Sequence, residues 1–106
     1  DTLTGGADSD IFQYIATADS GIGAARDTIT DFDALNESEV IFLDGLLSGT
    51  FQAGISAGGN TGFTATTSGS DTQVLIDTDG DNTADMEILL TGVTATDVDI
   101  TDFLVT

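Results

Sequence analysis

The stretch DTLTGGADSDIFQ, residues 1–13, decides the fold that this sequence predicts. Asp1 and Asp10 stand nine residues apart, and each is followed two positions later by a large apolar residue, Leu3 or Phe12. A nine-residue period of this kind is typical of a parallel β-roll, in which each turn exposes oxygen atoms and the next apolar residue enters the core. The two glycines between the aspartates permit the positive-φ backbone that such a turn needs.

Strand signals continue through the rest of the chain. Short runs rich in Thr, Val, Ile and Phe are separated by Gly, Asp and Asn, which favours an all-β fold. Val40–Leu43 is a continuous apolar run, as in a strand buried on both faces or in a segment that leads into the core. A Gly- and Ser-rich loop is expected over residues 48–62, anchored by Phe51 and Ile55, and single helical turns are expected at residues 33–38 and 96–97. The predicted strands cover residues 11–15, 28–32, 40–43, 62–67, 72–76 and 85–91, the last two forming a hairpin.

The charge balance of the chain predicts bound cations. Its 106 residues include 19 acids and a single base, Arg26, for a net charge of -18. Self-repulsion at this charge destabilises a one-domain protein unless cations neutralise it, and carboxylate and carbonyl oxygens suit calcium. The same balance argues against nucleic acid and anionic membrane surfaces as partners. No apolar run approaches the roughly 18 residues of a transmembrane segment.

Several residue types are missing, and their absence excludes whole classes of chemistry. The sequence has no Lys, His, Cys, Pro or Trp. It therefore contains no Ser-His-Asp triad, no thiolate nucleophile, no Schiff-base lysine and no zinc site built from Cys or His. Carboxylate pairs for glycoside hydrolysis are not indicated by any spacing, so we predict a protein that is not an enzyme. The sequence begins without an initiator Met or an N-terminal signal peptide, and we expect a fragment or a processed product.

Residues 5–13, GGADSDIFQ, resemble the nonapeptide repeat G-G-x-G-x-D-x-U-x of RTX proteins, in which U is a large apolar residue. Asp8 stands where the pattern has its third glycine, and Asp tolerates a left-handed backbone better than most residues. Residues 1–4 look like the tail of a preceding repeat. Five further segments are similar to the C-terminal domain of serralysin-type secreted proteins: DTITDFD at 27–33, VIFLDGL at 40–46, VLIDTDGD at 74–81, DMEILLTG at 85–92 and TDFL at 101–104.

This resemblance implies one domain, residues 1–106, with a parallel β-roll followed by a non-repetitive antiparallel β cap. Residues 1–33 would end the calcium-binding roll, and residues 34–106 would form the cap with a C-terminal secretion signal at residues 102–105, DFLV. The implied partners are calcium ions, the type I secretion machinery and an upstream passenger domain, and the implied location is outside a bacterial cell. The alternative is a calcium-dependent, self-assembling or adhesive subunit of a cell-surface layer or filament, acting as a homo-oligomer.

The resemblance also implies a first set of calcium ligands. In RTX rolls the ion lies between neighbouring turns, where repeat aspartates and backbone carbonyls bind it. On this basis Asp1, Asp8 and Asp10 are the side-chain ligands, together with the carbonyl oxygens of Gly5 and Ala7. The simpler alternative is a pair of ordinary Asp-Gly turns, since both residues favour turns for reasons unrelated to metal.

A second acidic cluster leaves two interpretations open. Asp27 and Asp31 are separated by an even number of residues, so an extended strand presents them on the same face. In the family interpretation one of them, with Asp27 favoured, completes the last calcium site of the roll. In the other interpretation they form, with Asp33, a solvated face opposite Ile29.

The third cluster is the loop of the predicted hairpin, residues 77–85. Its aspartates occupy the first, third, fifth and ninth positions of an EF-hand loop, but Asn82 replaces the glycine at position six and Ile88 replaces the glutamate at position twelve. The segments on both sides of this loop are predicted to be strands, whereas an EF-hand loop joins two helices, so we do not expect an EF-hand. A calcium-binding hairpin of another kind and an acidic turn that resists edge pairing both stay open. The four aspartates are Asp77, Asp79, Asp81 and Asp85.

Overall fold

The computed structural model describes residues 1–35, 39–55 and 60–106, which consist mainly of short β-strands joined by turns. The all-β prediction is therefore confirmed. Helical residues in the described ranges form short 3₁₀ helices at Thr17–Ser20, Gly23–Ala25, Ala95–Asp97 and Ile100–Asp102. None of these ranges contains a helix with the length and apolarity needed to cross a membrane. The strands are β1 Thr2–Leu3, β2 Ile11–Tyr14, β3 Asp27–Ile29, β4 Val40–Leu43, β5 Phe51–Ala53, β6 Thr61–Ser68, β7 Asp71–Asp77, β8 Met86–Leu90 and β9 Phe103–Val105.

The chain winds between two sheets and forms a roll of three stacked coils, each coil having one strand in each sheet. β1, β3 and β8 lie parallel in the first sheet, and β2, β4 and β9 lie parallel in the second. The nine-residue spacing from Leu3 to Phe12 thus corresponds to the step from the first sheet to the second. Inward-facing residues stack in register from coil to coil: Leu3, Ile29 and Leu90 in one column, and Phe12, Ile41 and Phe103 in the other.

An antiparallel meander extends the first sheet beyond the roll. The strand order is β1-β3-β8-β7-β6-β5, in which β6, β7 and β8 are antiparallel neighbours and β5 is parallel to β6. The predicted hairpin between β7 and β8 is confirmed. β8 belongs to both the roll and the meander. Because β8 pairs with β3 and β9 pairs with β4, these two late strands form the third coil of the roll. The division into a roll of residues 1–33 and a cap of residues 34–106 stays a prediction.

The strand limits differ from the sequence prediction at several places. β1, β5 and β9 were not predicted because each is too short to show an alternating pattern. β5 lies within the predicted loop of residues 48–62, and its Phe51 stacks on Phe63 with ring centroids 5.6 Å apart. β3 ends at Ile29 rather than at residue 32, because Asp31 turns back to bind the first turn. Residues 36–38 of the expected helical turn lie outside the described residues, and the turn expected at residues 96–97 is part of a 3₁₀ helix.

The single base of the sequence ties the loop before β3 to β8. The Arg26 guanidinium donates to one carboxylate oxygen of Glu87, and the Gly23 N–H donates to the other at 3.2 Å. Burial alone would raise the pKa of Glu87, but these two donors and the Gln73 side chain together hold that pKa below its usual value. Ser20 donates to the Glu87 carbonyl and accepts from the Asp27 N–H. Arg26 is therefore engaged within the fold, in an ion pair with Glu87.

Candidate metal centre

Four aspartates converge in the loop between β7 and β8. Asp77 ends β7 and is fully buried, Asp79 and Asp81 are exposed, and Asp85 is partly buried just before β8. One carboxylate oxygen from each lies within 4.8 Å of the others. In the three described ranges, this is the one group of three or more acidic, His or Cys side chains that lie so close together. The structure thus brings together every ligand that the sequence proposed for the hairpin.

The loop is folded around its own carboxylates. Asp77 accepts from the N–H groups of Asp79 and Gly80 through Oδ1, at 3.2 and 2.8 Å, and from that of Asn82 through Oδ2, at 2.9 Å. Asp79 and Asp81 each accept from the N–H two residues later, at 3.1 and 2.9 Å. Gly80 and Asn82 have φ values of 76° and 69°, a left-handed backbone that these residue types tolerate. The sequence DTDGDN therefore places the aspartates on the inside of one tight turn.

The charges in this loop repel one another. The Asp81 N–H lowers the pKa of Asp79, but partial desolvation and the carboxylates of Asp81 and Asp85 outweigh it, and the pKa of Asp79 is raised. Asp85 is held in place by Thr78, whose N–H and hydroxyl donate to its Oδ2 at 2.9 and 3.0 Å. Converging carboxylates without nitrogen or sulfur donors form a hard oxygen ligand set, which fits calcium better than transition metals.

The turn between β1 and β2 has the backbone that the repeat pattern requires. Gly6 has a φ of 96° and Asp8 a φ of 69°, so Asp8 adopts the left-handed conformation expected at the third glycine position. Gly5 lies beneath Asp10, and a Cβ at Gly5 would stand 2.3 Å from Asp10 Oδ2. That oxygen is buried and has no hydrogen-bond partner in the described part of the chain. Asp10 Oδ2 therefore suits contact with a cation, whereas Asp8 and Ala7 lie exposed beside it.

The other predicted ligands of the roll are separated from one another. Asp27 begins β3 and is buried, with Oδ1 2.6 Å from the backbone nitrogen of Asp1. Asp31 follows β3 and accepts from the N–H groups of Gly5 and Gly6 at 2.9 and 2.8 Å, which lower the pKa of Asp31. Asp27 and Asp31 thus have different hydrogen-bond partners and lie on either side of β3. The part that either residue takes in calcium binding stays a prediction.

Glu39 is a further acid that the sequence pattern alone does not mark as a ligand. The pairing of β2 with β4 sets Ile11 beside Val40, so Asp10 and Glu39 occupy equivalent positions in successive coils. Glu39 is only 2% exposed, and its Oε2 accepts from the Asp33 N–H at 2.6 Å. Both acids directly precede an apolar strand. An acid directly before an apolar run can be seen in the sequence at both positions. Only the parallel pairing of β2 with β4 shows that the two positions are neighbours.

Comparison with known protein families gives a match over nearly the whole sequence. The family model described as "Peptidase M10 serralysin C terminal" matches residues 1–105. This match covers the first turn of the roll, the acidic hairpin and the C-terminal strand. No curated protein matches the sequence at a significant level.

Proposed function

Because the chain belongs to the peptidase M10 serralysin C-terminal family, we propose that it is the calcium-binding C-terminal module of a secreted bacterial protein. The observation that carries the proposal is the hairpin, where four carboxylates converge within 4.8 Å in a chain of net charge -18. The module folds when it binds calcium outside the cell. It supplies binding and folding, and any catalytic step belongs to the upstream passenger domain.

Charge neutralisation links the folding of the module to calcium. Folding draws Asp77, Asp79, Asp81 and Asp85 together, and their mutual repulsion opposes this step. A divalent cation, when bound, supplies positive charge at the point where the carboxylates meet. In the first turn the residues that would hold a second ion are Asp8 and Asp10, with the carbonyls of Gly5 and Ala7. The buried, unpartnered Asp10 Oδ2 supports this second assignment.

The C-terminal tail supports an order of events for secretion. Phe103–Val105 forms β9, which is paired with β4, and Phe103 is buried in the core. The folded roll therefore withholds the Phe103 part of a secretion signal in this tail, and the type I machinery reads the whole segment while the chain is unfolded. Low calcium in the cytosol keeps the acidic sites empty and the roll open, and millimolar calcium outside the cell then closes it.

Isothermal titration calorimetry with calcium chloride tests the hairpin site. Combining Asp79→Asn with Asp81→Asn removes two charges from the exposed side of the loop, while the buried Asp77 keeps its bonds to the backbone. Since calcium affinity follows the number of charged ligands, we expect one site to weaken at least about tenfold. Asp97→Asn is the control for charge removal elsewhere on the surface, because it removes one charge from the 3₁₀ helix Ala95–Asp97 outside both proposed sites.

Asp10→Ala provides an independent test of the first turn. It removes a proposed charged ligand, so we expect it to weaken a different calcium site from the one altered in the hairpin variant. Its stability in calcium should fall at the same time, because less binding free energy stabilises the folded state. Calcium titrations that are unchanged in both Asp10→Ala and the hairpin double variant would sink the proposed function.

A further inference from the structure

The second sheet of the roll carries an apolar surface on the side that faces away from the core. The parallel register places Ile11 beside Val40 and aligns Gln13, Phe42 and Leu104 in one row across β2, β4 and β9. Ile11 is 64% exposed and Leu104 is 45% exposed. We call this surface the outer apolar face; it consists of Ile11, Val40, Phe42 and Leu104.

An exposed apolar surface is unusual for a sheet of this type. β2, β4 and β9 are all parallel, and parallel sheets are generally covered on both faces, most often by helices. The inner face is covered by the core, where Ile41 and Leu43 are fully buried. The continuous apolar run Val40–Leu43 suits a strand covered on both faces, yet Val40 and Phe42 are only partly buried. The outer apolar face therefore has the composition of a covered surface.

Acidic side chains flank this surface at both ends of the parallel strands. Asp8 and Asp10 precede β2 at the end where the strands begin. At the other end Asp19 accepts from the N–H groups of Ile15 and Ala16. Asp44 follows β4 and accepts from the side chains of Gln13 and Thr106. Neither Asp19 nor Asp44 belongs to a proposed calcium site, so the end where the strands stop stays anionic in calcium.

These charges and dimensions argue against a second copy of the chain as the occupant. Each copy carries a net charge of -18 and would bring the same acidic rim to the contact. Three strands of about four residues present an area of roughly 14 by 13 Å, or about 200 Å². A stable protein dimer buries about 800 Å² on each partner. A surface of this size and charge instead suits one short segment of opposite charge.

We propose that the outer apolar face binds a cationic amphipathic helix, with apolar residues on one side and Lys or Arg along its border. A helix is about 10–12 Å in diameter, which matches the width of the three strands. Its apolar side covers Ile11, Phe42 and Leu104, and its basic residues lie against Asp19 and Asp44. This docking completes the two-sided covering that parallel strands usually have, and it is separate from the calcium sites.

Fluorescence anisotropy with a labelled, 18-residue Leu/Lys amphipathic helix tests this inference, with the protein held in saturating calcium. We expect Ile11→Ser combined with Leu104→Ser to weaken binding of this peptide at least tenfold. The matched control is Ile22→Ser with Leu35→Ser, which removes two exposed apolar side chains, 50% and 68% exposed, from outside the face. This control is expected to bind as the parent protein does. Circular dichroism verifies that both variants are folded.

A second pair of changes separates the apolar contribution from simple charge attraction. Asp19→Asn with Asp44→Asn is expected to weaken binding, and a Leu/Glu helix of the same length is expected not to bind. If Ile11→Ser with Leu104→Ser binds the Leu/Lys helix as tightly as the control Ile22→Ser with Leu35→Ser, the proposal is overturned, because binding would then follow net charge alone. A dimer in analytical ultracentrifugation that Ile11→Ser with Leu104→Ser dissolves would also overturn it, since a second copy would then be the occupant.

Discussion

Removal of calcium with EGTA is expected to lower the free energy of unfolding by about 5 kcal/mol. The hairpin and the first turn of the roll are two proposed sites, and each contributes about 2.7 kcal/mol when calcium is a hundredfold above its dissociation constant. A domain of this size has a total stability of about 5–15 kcal/mol. Loss of both ions therefore removes a large part of that stability, and a shift in melting temperature of roughly 20–40 °C follows.

Thermal melts followed by far-ultraviolet circular dichroism measure this shift. Magnesium is the appropriate control ion, because it requires small octahedral sites and keeps several of its waters, so it should restore little of the lost stability. The hairpin double variant, Asp79→Asn with Asp81→Asn, should lose only part of its stability in EGTA. Identical spectra and melting points with calcium and with EGTA would mean that folding does not depend on the ion.

Phe103→Ala is expected to destabilise the calcium-bound protein by about 3–5 kcal/mol, the usual cost of removing a buried aromatic ring. Phe103 is 8% exposed, and its ring centroid lies 4.5 Å from that of Phe63 and 5.3 Å from that of Phe51. It also packs in register with Ile41 of β4. The substitution therefore leaves a cavity where the roll, the meander and the C-terminal strand meet.

The neighbouring residue in β9 provides the control for this change. Leu104 points to the opposite side of the same strand and is 45% exposed, so Leu104→Ala should alter stability by much less than Phe103→Ala. Urea denaturation in saturating calcium compares the two variants without a contribution from ion loss. Equal stabilities of the two variants would contradict the placement of Phe103 in the core.

Local patterns predicted those parts of the fold that are built from neighbouring residues. The spacing of Leu3 and Phe12 predicted the first coil, and the Asp-rich loop before Met86 predicted the hairpin. The closure of the roll depends instead on pairs distant in sequence, such as Thr28 with Leu89 and Ile41 with Phe103. No single stretch of sequence records these pairings, so the return of β8 and β9 to the roll was not predicted.

In the candidate site, too, the contacts between neighbouring residues could be predicted from the sequence and those between distant residues could not. The hairpin aspartates lie within nine residues of one another, and their alternation with Gly80 and Asn82 predicts a turn that gathers them. Asp27 and Asp31 were assigned to one strand face, but β3 ends at Ile29 and leaves them at opposite ends of the strand. Recognition of Glu39 as the counterpart of Asp10 required the register of β2 and β4.

X-ray diffraction tests most directly whether the β7–β8 hairpin holds a calcium ion. Crystals grown in calcium chloride should be measured at a wavelength where calcium scatters anomalously. We predict an anomalous peak in the loop, with oxygens of Asp77, Asp79, Asp81 and Asp85 among the ligands at about 2.3–2.6 Å. A well-ordered hairpin that contains water alone at saturating calcium would contradict the account.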